Sequence, residues 1–232
     1  MDVIYHRKVN SSELPNDAVA ETFLFCIEVT NVGVHAKNLL NEITDTSWIS
    51  NLESVAKMSY EDISQKTVAK LIKIFESVDN KVTKDFGEYL ISMSSGHCLK
   101  EKHNHQILPL SEIWKPKLSQ NEGFDFHTLS PTDKFAFGEA KYVSSGNSYG
   151  NAAEQTLRFS KDNKDKRDGV HLQYFGSPLA ISNLMDNKRG FILAFSINSV
   201  EHVDILKNTL QNEDIKELST GCDELYIIGV KS

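Results

Sequence analysis

An aspartate at position 125 and the triplet Glu139-Ala140-Lys141 lie on two neighbouring apolar runs joined by the turn Ser130-Pro131-Thr132-Asp133-Lys134. Two carboxylates and a lysine on adjacent strands could hold a metal ion for phosphodiester hydrolysis. That chemistry needs a Lewis acid to neutralise the developing oxyanion and acidify an attacking water. Mg²⁺ (or Mn²⁺) suits these residues, because Mg²⁺ is held by one or two carboxylates together with waters and phosphate oxygens. Asp125 and Glu139 would supply the carboxylates and the Ala140 carbonyl a further ligand. Lys141 would orient the water and stabilise charge on the pentacoordinate phosphorus.

Strand geometry sets how these groups face. Residues two apart share a face, so Glu139 and Lys141 project together, with Phe135 and Phe137 before them, and Ala140 points the other way. On the first run Phe124 and Phe126 flank Asp125 and are expected to face away from it. An acid between two buried aromatics is unfavourable unless it is paired, hydrogen-bonded or metal-bound. Either a cation or Lys141 itself must answer that demand, so a structural ion-pair cluster of Lys141, Glu139 and Asp125 is the competing reading.

The elements that would position the site follow from periodicity. Residues 21–29 read as a strand rich in Phe, Ile and Val. Residues 60–78 repeat Ile63, Val68, Leu71, Ile72 and Phe75 at helical spacing, and 82–94 form a second helix in which Gly87 carries an interior cost of ~1 kcal/mol relative to Ala. Residues 105–114 read as a strand interrupted at Pro109, hence at an edge or bulge. The runs 123–129 and 134–143 form a hairpin-like pair, 144–151 a loop, and 152–162 a helix. GFILAFSI (190–197) is apolar enough for a buried central strand; 200–210 is helical and 224–230 a last strand. Interleaved helices and strands predict an α/β fold, a mixed sheet covered by helices.

At 232 residues the chain reads as a single domain. No apolar run approaches a membrane span, the first residues lack a signal-peptide h-region, and three scattered cysteines give neither a disulfide framework nor a paired zinc pattern. A cytoplasmic setting without membrane attachment is expected. Net charge is −7, yet residues 97–175 hold 11 Lys/Arg against 10 Asp/Glu. An acidic total lowers the expectation of autonomous DNA binding, while a local stripe decides contact with phosphates.

The order of helix with Glu88, strand, GFD strand, GEAK strand, helix with Gln155 and later strand resembles the PD-(D/E)XK, restriction-endonuclease-like superfamily. Within it, DFGEYL (85–90), GFDFH (123–127) and FGEAK (137–141) are similar to the nuclease effector family of the Hachiman anti-phage system (HamA). The similarity covers about residues 81–232, with 1–80 as an N-terminal α/β extension. It implies a restriction-endonuclease-like mixed central sheet and metal-dependent DNA cleavage in antiviral defence, controlled by a partner helicase (HamB-like). The superfamily's metal-binding acids carry over to Asp125 and Glu139 and its catalytic lysine to Lys141. Glu88 matches an acid often added from the preceding helix, and Gln155 a glutamine some relatives turn toward the site. The proline that precedes the aspartate in the name-giving motif is absent; Gly123-Phe124 stands there.

Arg158, Lys161, Lys164, Lys166 and Arg167 cluster with three aspartates in RFSKDNKDKRD. Such a run is usually a solvated helix end, but it could follow a phosphate backbone, with Lys115 and Lys117 extending it. His97, Cys98, His103 and His105 lack the two close ligand pairs of a structural zinc site and read as incidental. No Walker loop or nucleophile elbow is present. A catalytically inert module that docks a helicase, or an RNA nuclease, remains as the alternative function.

Overall fold

A run of large apolar residues with no polar alternation must be covered on both faces. GFILAFS obeys: it forms a strand in which all seven residues are buried. The computed structural model describes residues 1–79, 81–115, 122–146 and 148–232. The strands are β1 (Asp2–Lys8), β2 (Glu21–Glu28), β3 (Gln106–Ile107), β4 (Phe126–Leu129), β5 (Phe135–Lys141), β6 (Gly190–Ser196) and β7 (Glu224–Lys231). They make one seven-stranded sheet in the order β1-β2-β7-β6-β5-β4-β3. The inner strands β2, β7, β6 and β5 are parallel, and β1, β4 and β3 are added antiparallel at the two sides. The mixed α/β architecture is therefore as expected. β2 pairs with β7 along its whole length, so the first 80 residues contribute to the same sheet as the rest.

Helices cover both faces: α1 (Val32–Thr44), α2 (Ser54–Glu76), α3 (Lys84–His103), α4 (Ser111–Trp114), α5 (Tyr149–Lys161), α6 (Lys164–Leu172), α7 (Pro178–Met185), α8 (His202–Thr209) and α9 (Glu213–Gly221). One core layer packs Leu39, Leu71, Phe86 and Leu90 of α1–α3 against Phe126, Ala136, Ala140 and Ile192. The other packs Phe159, Leu172, Leu184, Leu206 and Ile215 against Phe135, Phe137, Leu193 and Leu225. All three cysteines are buried, and burial pushes each thiol up to about 12.

Three local expectations need correction. Residues 105–114 pair with β4 only at Gln106 and Ile107. Pro109 has no N–H for a ladder, and the chain turns into α4, with the Trp114 indole donating back to the Pro109 carbonyl. The second helix does not stop at 94. Ser92, Ser94, Ser95 and Gly96 are buried in its middle, where small side chains let α3 lie close to the sheet, and it ends at Asn104 in the left-handed region (φ 56). Phe124 and Phe126 do not share a face: Phe124 joins one core layer and Phe126 the other. A bend at Asp125, just before β4, makes the switch.

Candidate active site

The site lies where β4 and β5 part. Phe126 is the first residue of β4 in register with β5, opposite Gly138. A Cβ on Gly138 would run into the Phe126 ring, so only glycine permits this close pairing. Beyond it the ladder continues without a strand. The Asp125 N–H donates to the Gly138 carbonyl, and the Asp125 carboxylate accepts the Ala140 N–H at 3.0 Å. The acid thus lies along the sheet edge, in the place a partner strand would otherwise fill. A residue's N–H and C=O point to the same side of an extended strand, so the Ala140 carbonyl is turned toward the same fork. This is also the carboxyl end of the parallel strands, where open α/β sheets bind ligands.

Glu139 and Lys141 do share a face, and the lysine ammonium donates to Glu139 Oε1 at 2.6 Å. Glu139 is fully buried. Its other oxygen, Oε2, is also buried and has no hydrogen-bond partner among the described residues. Desolvation raises the Glu139 carboxyl well above its ordinary value; the charges of Asp125 and Glu88 push the same way and Lys141 opposes them. Burial alone would lower the Lys141 ammonium, but Glu139, Asp125 and Glu88 together hold it above its usual value. Glu88, Asp125, Glu139 and Lys141 are therefore within electrostatic reach of one another.

Glu88 reaches the fork because α3 crosses the end of β5 at Gly87. A Cβ there would enter the Tyr142 ring, so the glycine that weakens the helix allows the helix to dock. A cleft of about 420 Å³ opens at this junction, and Glu88, Asp125, Tyr89, Tyr142, Glu112 and Lys70 are among its walls. Glu112 was not singled out from sequence, because its segment reads as a strand. In α4 it is nearly buried, pairs with Lys70 at 2.7 Å and accepts from the Tyr89 hydroxyl. The Tyr89 phenol is pushed up by burial, by that bond, and by the charges of Glu112, Asp125 and Glu88. A Pro-Leu-Ser-Glu start, with the acid in the first helical turn, is the signal that would have revealed α4.

No family model, curated protein or solved structure matches this chain.

Among the described residues no three histidine, cysteine, aspartate or glutamate side chains are grouped so as to hold an ion. A metal would have to be held by the two carboxylates of the fork with backbone oxygen and water, a donor set that suits Mg²⁺. The buried, unpartnered Glu139 Oε2 fits such an ion, since a buried acceptor left without a partner is unfavourable. A purely structural Lys141–Glu139 pair accounts for only one of the two carboxylate oxygens.

Gln155 is half-buried on α5, the helix that follows β5 and packs against β5 and β6. The basic run is not simply solvated. Asp165 and Asp168 are buried; Asp165 pairs with Arg189 at 2.6 Å, just before β6 and at the sheet end opposite Lys141. Lys115 is not an open phosphate contact: its side chain is 11% exposed and pairs with Asp168. Burial would raise the Asp168 carboxyl, but the His127 hydrogen bond and the nearness of His127 and Lys115 bring it below its usual value. Arg158 pairs with Glu122 and Lys161 with Glu217, while Lys164 and Lys166 are half-buried and Arg167 is exposed. Lys117 lies outside the described residues.

Proposed function

We propose that this chain is a divalent-metal-dependent nuclease acting at the fork between β4 and β5. The observation that carries the reading is Asp125 held on the Ala140 N–H, between Glu139 and Lys141 and within electrostatic reach of both, with one glutamate oxygen buried and unpartnered. Asp125 and Glu139 would hold Mg²⁺ (or Mn²⁺), with the Ala140 carbonyl turned to the same place. When bound, the ion supplies charge neutralisation at the phosphate and a more acidic attacking water. Lys141, fixed by Glu139 Oε1, presents a positive charge beside that position, which orients the water and favours the phosphorane-like transition state. Glu88 adds a negative group at the rim of the cleft and strengthens the pull on the ion.

The chain's resemblance to PD-(D/E)XK nucleases supports DNA as the substrate, and its likeness to the Hachiman effector family supports control by a partner helicase. The element order also supports it: α3, the three antiparallel strands β3–β5, α5, then β6 parallel to β5. In a plasmid-nicking assay with Mg²⁺ or Mn²⁺, Glu139→Ala and Lys141→Ala are each expected to lower cleavage at least ~100-fold, the scale of one lost transition-state contact. Unchanged cleavage in both would remove the assignment. Calorimetric titration of Mn²⁺ reads the same site without a substrate or a partner. Binding lost in Asp125→Ala supports the enzyme, whereas an absence of binding in the parent leaves an inert docking module as the better description.

A further inference from the structure

His6 and His103 come from distant parts of the chain and meet on the β1 side of the sheet. His6 lies on β1 opposite Phe25, and His103 is the last residue of α3. Their Nε2 atoms are 3.3 Å apart, a hydrogen bond when one of the two rings carries its proton there and a spacing that one ion could bridge in its place. Two ring nitrogens bound to one tetrahedral ion at ~2.0–2.1 Å are themselves ~3.3–3.4 Å apart. The rings are held by an aromatic bed: His6 stacks on Phe25 with centroids 4.4 Å apart and an interplanar angle of 7°. His103 stands edge-on to Phe23, also at 4.4 Å.

Neutral rings offer the lone pair a metal needs. The neighbouring His105 is not available, because Thr128 and Tyr226 engage both of its ring nitrogens.

We propose that His6 and His103 form a second metal site, for a borderline divalent transition ion of the Zn²⁺ class, bound through both Nε2 atoms and completed by water. Imidazole nitrogens select such ions, whereas Mg²⁺ prefers oxygen. The site is separate from the fork. Glu88 and His103 are both on α3, fifteen positions and therefore ~22 Å apart along the helix. An ion here ties edge strand β1 to the end of the helix whose other end carries Glu88.

The test is calorimetric titration of Zn²⁺ into full-length Glu139→Ala protein, which lacks the fork carboxylate, and into the same protein carrying His6→Ala or His103→Ala. One saturable Zn²⁺ site is expected in the Glu139→Ala parent, indifferent to excess Mg²⁺. Each histidine variant should weaken it about tenfold or more, and Zn²⁺ should raise the melting temperature of the parent alone. His6 is exposed, so its variant is expected to fold, and a circular dichroism spectrum checks this. Absence of saturable binding in the parent, or unchanged affinity in both histidine variants, overturns the proposal. Neither result bears on the nuclease reading, whose site the parent already lacks.

Discussion

At Glu139, metal binding and metal-free stability make opposite demands. Its buried carboxyl is raised well above the ordinary value by desolvation and by Asp125 and Glu88. A carboxyl whose folded-state pKa exceeds its unfolded value keeps a proton that the unfolded chain releases. Its native state is therefore least penalised below the unfolded pKa and loses stability as pH rises toward the folded one. In EDTA, Glu139→Gln is expected to be more stable than the wild type at pH 8, with the difference shrinking toward pH 5. Denaturant melts at the two pH values measure it, and a pH-independent difference would show that the carboxyl does not titrate as described. Saturating Mn²⁺ should narrow the gap, because binding stabilises only the protein that keeps the carboxylate. The residue types at the fork were legible in the sequence, since alternation put Glu139 and Lys141 on one face. The attitude of Asp125 was not, because a single bend sends Phe124 and Phe126 to opposite layers and no periodicity encodes it.

Among the elements, α3 shows how a local penalty becomes a docking feature. From sequence Gly87 counted only against the helix, at ~1 kcal/mol relative to Ala. In the fold its missing side chain is the space occupied by the Tyr142 ring. Gly87→Ala should therefore destabilise by about 1–3 kcal/mol, as overpacking does, although it improves helix propensity. Urea titration reads the sign, and a gain in stability would mean that α3 does not press on the end of β5 as described. The same variant should weaken Mn²⁺ binding, because Glu88 sits one residue beyond the contact. Long amphipathic or wholly apolar segments, such as 60–78 and 190–197, were legible because burial repeats along them. α1 and α4 were not. α1 starts at Val32 in a stretch that reads as mixed and polar, and α4 is a single turn whose acid, Glu112, is buried by tertiary pairing with Lys70 and Tyr89.

For the whole molecule, the sheet order joins the N-terminal residues to the rest. β2 lies beside β7 over eight register pairs, so removing residues 1–80 would open the edge of a buried apolar strand. A fragment spanning 81–232 is expected to be insoluble or to lack a cooperative melt, by the general hazard of an exposed hydrophobic edge. A soluble fragment with a sharp transition would show that the sheet tolerates the loss. The parallel centre was foreshadowed by the apolar run of β6; the strand order was not, because it depends on pairings such as Glu21 with Glu224, 203 positions apart. The cysteines have a practical consequence for following this molecule in solution. With Cys26, Cys98 and Cys222 buried and their thiols at about 12, the native chain offers almost no thiolate at neutral pH. A cysteine placed at exposed Lys84, beside the cleft, would then be the one group a maleimide dye labels quickly, a fluorescent reporter on the mouth of the fork with a silent background.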